Sequence, residues 1–269
     1  MFRTLATIWR DNWQWKRQTF LIGYYNLKKQ FAGTALGWVW LLVKPTVYAV
    51  CFWFTLYIGL RSGRDVGEAP YILWLVAGIW NWFFMQGVLG AGSDVLTHYK
   101  YLVKKIKFPI CCIPTIYMTT QLITQLVLIA VQVVIYFVCG QPLDIHLIQL
   151  PFLIALMYCF WYLVSLSFSL LSAMSRDFAK LIQALSAPFF WISGVIFNVA
   201  NIDNAAIQMV FNFNPIYTFV QGFRGALYYR TWIWEDPTMC LAFVAVFVAT
   251  MLFTAFLYHR LDEEVQDAL

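Results

Sequence analysis

The side chains able to do chemistry in this sequence are few, and their placement suits binding better than bond-making. Lys44 is the single charge inside a long apolar run, just before Pro45. Two readings of it stand: it snorkels to a membrane boundary, or it meets a diphosphate or other phosphate-rich ligand. Aromatic residues make up 19% of the chain, enough for interface anchors and core packing with a subset left over. Trp38, Trp40, Tyr48, Phe52 and Trp53 share one apolar run, and Phe189, Phe190 and Trp191 share another. Sugar rings have apolar CH faces and polar edges, which Trp and Tyr match. Trp38, Lys44, Tyr48, Phe52, Phe189, Phe190 and Trp191 are therefore the candidate substrate path, although helical periodicity spreads them around their helices. A third group is Asn214-Pro215-Ile216 with the run YTFVQGFRGALYYR after it. Asn, Pro and Gly break this stretch too often for a bilayer crossing, yet it lies between two apolar segments. Such backbone is tolerated at membrane depth only under cover of protein or a watery cavity. Asn214, Pro215, Tyr217 and Arg224 thus form a candidate external gate. Arg224 and Arg61 either meet phosphate on that side or are solvated.

Catalytic groups are missing where a membrane enzyme or a carrier needs them. There is no GxxxxGK[ST] loop to cradle a nucleotide. The apolar runs hold no Asp or Glu, which argues against a proton-coupled relay and against carboxylate or metal hydrolysis. His98, His146 and His259 are scattered, and no pair of the six cysteines has zinc-ligand spacing. Ser165, Ser167, Ser169 and Ser172 suit close helix packing better than nucleophilic attack. The expectation is no catalytic residue, no metal and no cofactor held by this chain.

The elements that must position these residues are membrane helices. The chain is 62% hydrophobic and 12% charged, which leaves little sequence for a soluble domain. Six stretches reach the roughly 20 apolar residues of a span: Leu36–Leu60, Pro70–Gly92, Ile110–Cys139, Leu147–Ser175, Leu181–Ala200 and Thr238–Tyr258. With the amino terminus inside, thirteen Lys and Arg fall on the inner side against Arg61, Arg64, Arg224 and Arg230 outside, so both termini are expected in the cytoplasm. Residues 1–35 are basic and aromatic without a cleavable signal. Leu5, Ile8, Trp9 and Trp13 share a helical face there, the pattern of an amphipathic helix on the inner surface; a plain positive-inside anchor is the alternative. The fold class is all-α, with a six-span membrane body over 36–260 and a tail over 261–269. Pro188, with Gly194 after it, can kink the fifth span.

The inner loop Ser93–Phe108 carries a helix start at Ser93 and Asp94. Leu96, Tyr99 and Val103 follow at helical spacing, and Lys100, Lys104, Lys105 and Lys107 come late. It reads as a short amphipathic docking helix, or as a loop lying on anionic lipid. The tight turn at Arg176 and Asp177 is a second inner contact or a plain helix–helix turn. The net charge of +5 gives no reason to expect nucleic acid.

Four stretches resemble one family, in its order and over nearly the whole chain. They are LIGYYNLKKQFAGTALGWVWLLVKP (Leu21–Pro45), YLVKKIKFPICCIPT (Tyr101–Thr115), SRDFAKLI (Ser175–Ile182) and NPIYTFVQGFRGAL (Asn214–Leu227). The family is that of permease subunits of ABC exporters for cell-surface polysaccharides. Gly59–Phe84 and Asn214–Leu227 resemble members that export teichoic acid, and relatives for O-antigen or capsule share much of the pattern. The family's common Asn-Pro is Lys44-Pro45 here. The resemblance implies a homodimer in the bacterial cytoplasmic membrane, bound to two ATP-binding-cassette subunits that carry ATP and Mg. Ser93, Asp94, Leu96, Tyr99, Lys100, Lys104, Arg176 and Asp177 become the coupling residues. It further implies re-entrant gate helices over 200–230, spans one and five along a dimer-interface channel, and an undecaprenyl-diphosphate-linked polymer as substrate. Export of another lipid or drug, or a membrane-embedded envelope-synthesis enzyme, stays open beside it.

Overall fold

The computed structural model describes residues 2–59, 69–106, 108–142 and 144–268. Arg61, Arg64 and Lys107, together with residues 60–68 of the Gly59–Phe84 stretch, lie outside the described residues. Twelve α-helices and no strand occur among the described residues. In chain order they are α1 (Phe2–Gln14), α2 (Lys16–Phe31), α3 (Trp40–Trp53), α4 (Tyr71–Leu89), α5 (Val95–His98) and α6 (Lys100–Ile106). α7 (Cys112–Val138), α8 (Gln149–Met174), α9 (Arg176–Trp191), α10 (Ala205–Asn212), α11 (Pro215–Arg224) and α12 (Pro237–Ala268) follow.

Among the described residues, five helical stretches are long and apolar enough to cross a membrane: Gly37–Gly59, Tyr71–Ile106, Cys112–Val138, Ile145–Met174 and Pro237–Val265. They correspond to five of the six expected spans, and the chain is a multi-pass membrane protein. α4 is apolar on every side, and a helix of that kind belongs in the middle of a bundle. It is indeed central, with Trp74, Leu75, Ala77 and Met85 fully buried and with α3, α7, α8, α9 and α11 packed around it. α8 pairs with α12 through small hydroxyl residues. Ser167 and Thr254 hydroxyls lie 2.8 Å apart, and Ser165 donates to Gly92 O at 2.8 Å. These serines hold helices together, as their sequence spacing suggested.

The expected fifth span differs. Ser175 ends α8 in an extended conformation (φ −146, ψ 115), so α9 starts at once, at Arg176, and takes in the charged turn. α9 stops at Trp191, and Gly194 turns the chain away at φ +66. Its 16 residues rise about 24 Å, short of the roughly 30 Å hydrocarbon core.

The amino-terminal segment is two helices broken at Trp15. Its expected apolar face divides. Ile8 is buried against the ends of α7 and α12, whereas Trp9 and Trp13 stay 72% and 62% exposed. α2 crosses α7 so closely that a Cβ on Gly23 would stand 2.7 Å from Ile116 O. Thr120 Oγ1 donates to Gly23 O at 2.9 Å in the same crossing, so glycine is required there.

Candidate functional site

Two cavities meet where α2, α3, α4 and α7 converge. One, of about 630 Å³, is lined by Lys44, Tyr48, Trp40 and Thr34 with Gln86 and Thr124. The other, of about 680 Å³, is lined by Asn26, Lys29, Asp94, His98 and Gln183. Gln30, Tyr117, Thr120 and Gln121 line both, which makes one polar cleft through the apolar bundle. The local sequence explains it. Tyr117, Thr120, Gln121 and Thr124 recur at helical spacing on α7, so one stripe of an otherwise apolar helix is polar. Gln121 Nε2 donates to Tyr117 Oη at 2.8 Å, and Tyr117 Oη donates to Gly87 O at 2.9 Å. That chain of bonds fixes the cleft wall while Lys29 and Lys44 remain exposed beside it. The cleft has the polar lining and the neighbouring lysines to take a polar, anionic group. This stripe was the signal that sequence reasoning passed over.

The expected path residues on α3 and α9 are brought together against α4. Phe52 packs on Phe190 at 5.1 Å and on Trp191 at 6.2 Å between ring centroids, and Tyr48 meets Phe83 edge-on at 5.4 Å. Tyr48 and Trp191 are 50% and 56% exposed, whereas Trp38, 44% exposed, lies in the turn before α3 and packs on Phe31 of α2 at 5.7 Å. Phe189 is half-buried. Phe190 is buried under Trp82 and Phe52, so it supports the face without being part of it.

The expected coupling residues gather at the amino-terminal end of the bundle, but not as one helix. A 3-10 turn, Ala91–Asp94, is followed by α5 and α6, with a break at Tyr99. Ser93 does not cap: it is buried, and its Oγ donates back to Gly90 O at 2.7 Å. The cap position falls to Asp94, without a side-chain cap bond. Leu96 and Tyr99 are buried, with α5 packed against α8 and α7, and Tyr99 Oη accepts from Asn26 Nδ2 at 2.6 Å. They therefore root the segment in the bundle, and Lys100 and Lys104 are the exposed part. Arg176 and Asp177 are exposed at the same end, with Lys180 3.9 Å from Asp177. Gln183, two turns along α9, faces the same cavity as His98.

At the far end, α10 and α11 have 8 and 10 residues, too short to cross. Asn214 caps α11, accepting from Ile216 N–H at 3.0 Å, and its Nδ2 donates to Ser193 Oγ at 2.9 Å. Pro215 occupies the first turn, where its missing N–H is harmless. Tyr217 packs against Phe211 at 5.6 Å and over Gly194, where a Cβ would lie 2.9 Å from the ring. Arg224 is the main departure from expectation: it is neither solvated nor open to a ligand, but fully buried. Its Nη1 donates to Gly194 O at 2.8 Å, its Nη2 to Val195 O and its Nε to Trp74 O at 3.4 Å. The guanidinium carbon sits 3.3 Å from the centre of the Trp74 ring. Carbonyl dipoles and an aromatic face thus take the place of a counter-ion. In the loop between α7 and α8, His146 Nδ1 lies 2.8 Å from Asp144. With the Ile145 N–H, that bond holds the Asp144 carboxyl below the usual range.

No group of three or more His, Cys, Asp or Glu placed to hold a metal occurs among the described residues. The ABC-2 type transporter family matches residues 17–228. The chain is 20% identical over 238 residues to the O-antigen export system permease protein RfbA of Myxococcus xanthus, covering 88% of this chain and 90% of that protein. It is 22% identical over 202 residues to an O-antigen export system permease protein RfbA of Klebsiella pneumoniae, covering 74% and 75%.

Proposed function

Because the chain belongs to the ABC-2 type transporter family, we propose that it is the membrane subunit of an exporter for a lipid-linked cell-surface glycopolymer, driven by a partner ATPase. The polar cleft beside Lys44, opening next to the exposed aromatic face of α3 and α9, carries this reading. Lys29 and Lys44 supply charge for the diphosphate of an undecaprenyl-type carrier. Trp38, Tyr48 and Trp191 offer flat apolar surface to successive sugar rings, so that the polymer slides between many weak, equivalent contacts. The relatives' names support a polysaccharide of the O-antigen kind, and teichoic acid is the polymer the sequence motifs favour.

In this reading two copies of the chain pair through α3 and α9, which face each other across the path. Two ATP-binding-cassette subunits carry ATP and Mg and press on α5, α6 and the Arg176–Asp177 turn. α10 and α11 act as gate helices on the outer side. Both termini lie in the cytoplasm, and the complex sits in the cytoplasmic membrane. The chain itself performs no catalytic step.

Affinity purification from native membranes in mild detergent, with partner identity and stoichiometry by mass spectrometry, tests the assembly. Depletion of the chain then tests the direction. Lipid-linked polymer is expected to accumulate inside while surface polymer falls. An intact complex with no ATPase, or depletion that leaves surface polymer unchanged, overturns the proposal.

A further inference from the structure

Away from the cleft, a second groove of about 460 Å³ runs between α1 and the outer faces of α7, α8 and α12. Its walls include Leu5, Trp9, Cys159, Leu163, Phe247 and Met251. The polar atoms at its floor are already used. Asn12 Nδ2 donates to Ile8 O at 2.9 Å and to Tyr162 Oη at 2.8 Å, and Asn12 Oδ1 accepts from Thr115 Oγ1. Tyr162 Oη donates on to Cys111 O at 2.9 Å. With the donors of Asn12, Thr115 and Tyr162 consumed and the rest of the wall mostly apolar, the groove suits hydrocarbon better than a polar ligand.

What lies above the groove has a charge. At about 100° per residue, α1 presents in angular order Ile8 to the core, Leu5 and Asn12 to the groove, then Trp9 and Trp13, then Arg10 and Arg3. Both arginines are exposed. Among the charged side chains of residues 3–17, Asp11 is the single anion against Arg3, Arg10, Lys16 and Arg17. The order hydrocarbon slot, interfacial Trp, cation repeats the order of an acyl chain, glycerol backbone and phosphate in a bilayer leaflet.

We propose that this groove is a binding site for one anionic phospholipid of the bilayer, its acyl chain between α1 and the α8–α12 pair and its headgroup phosphate on Arg3 and Arg10. The lipid then fills the gap under α1 and pins that helix to the bundle. The site is separate from the transport cleft and does not depend on what the protein exports.

The test uses the full chain in nanodiscs, with phosphatidylglycerol carrying a diazirine in its acyl chain, irradiation, and peptide mapping of the adducts. Adducts are expected to concentrate on α1 and on Tyr158–Leu163. Cys159 is exposed at the groove mouth, so Cys159→Trp fills the groove without entering the core and should remove those adducts. The exposed α7 surface at Val134 and Phe137, away from Cys159, serves as internal control and should be unchanged. Arg3→Gln and Arg10→Gln leave packing intact and should each lower phosphatidylglycerol labelling of the groove about fivefold, the effect of one basic residue near an anionic surface. Adducts spread in proportion to exposed surface, groove labelling insensitive to Cys159→Trp, or equal labelling by a phosphatidylcholine probe would each overturn the proposal. Loss of labelling on addition of a polyprenyl diphosphate at equimolar amount would overturn it too, by naming a different occupant.

Discussion

Replacing Arg224 by methionine and by lysine separates two roles of a buried cation. Arg224 gives hydrogen bonds to Gly194 O, Val195 O and Trp74 O. Trp74 lies in the first turn of α4, and its carbonyl keeps a helical partner when the side chain is lost. Gly194 and Val195 lie in a turn, and their carbonyls take no other hydrogen bond among the described residues. Methionine keeps most of the volume but orphans both carbonyls, at roughly 1–3 kcal/mol each, and loses the stacking on Trp74, about 2 kcal/mol. Removal of a buried charge returns several kcal/mol of desolvation, so the net loss is about 1–4 kcal/mol. Lysine keeps the desolvation penalty while its shorter, single-centred head reaches one carbonyl at best, so it should lose more, about 3–5 kcal/mol. The expected order of stability is wild type, then Arg224→Met, then Arg224→Lys. The assay heats the purified complex in detergent and follows the monodisperse fraction, with amide exchange over 193–197 as the local readout. That segment should exchange at least about tenfold faster in both variants. Lysine matching wild type, or exceeding methionine, would refute the claim that the planar fork holds this turn.

Four further outcomes follow from other contacts in the bundle. Gly78→Ala should destabilise by about 1–3 kcal/mol, because its Cβ would lie 2.5 Å from Arg224 Nη2 and 2.8 Å from Val195 O; thermal stability in detergent checks it. Asn81→Leu removes the acceptor that Gln125 Nε2 meets at 2.5 Å and should cost about 1–3 kcal/mol, whereas the double variant with Gln125→Leu should recover part of the loss; a double-mutant cycle reads this. Lys44→Gln and Trp191→Ala change exposed groups, so surface polymer should fall while protein level and ATPase association hold. Unchanged export in both variants would remove the cleft and aromatic face from the path. Asp144 has a depressed pKa, chiefly from its hydrogen bond with His146, so its contribution is present above the ordinary carboxylate value of about 3.9 and fades as pH falls through the lower folded value. Asp144→Asn should therefore lower stability at neutral pH, and the two stability curves should converge below about pH 4.

Much of the site was legible because membrane helices leave strong one-dimensional signals. Lys44 stands out as a charge in an apolar run, and Asn214-Pro215 marks a break between two apolar segments. α3 and α9 aromatics were readable as candidates, since Trp and Tyr in such numbers exceed what packing needs. Ser93 misled. A serine ahead of an apolar run has the pattern of a cap, but a 3-10 turn intervenes and directs its hydroxyl to Gly90 O. Nor could a window of apolar residues place the end of α9, because its length is set by an extended Ser175 and a left-handed Gly194, which are dihedral facts.

The sequence by itself determined that this is an all-helical multi-pass protein and which segments are apolar. Burial of apolar area and satisfaction of backbone groups in hydrocarbon are local demands, met residue by residue. Only the tertiary structure decided that α4 is the centre, that the polar stripe of α7 faces Lys44 across a cleft, and that Ile8 turns inward while Trp9 stays out. Above all it decided the fate of Arg224. The sequence offers an arginine near a membrane face, and solvation or ligand binding suits it equally well. Three carbonyls and one indole, drawn from α4 and the turn after α9, are brought to it only by packing over separations of 29 to 150 residues. Hydrogen bonds of such range have no signature in a single chain's pattern, because the partners are backbone groups that every residue carries.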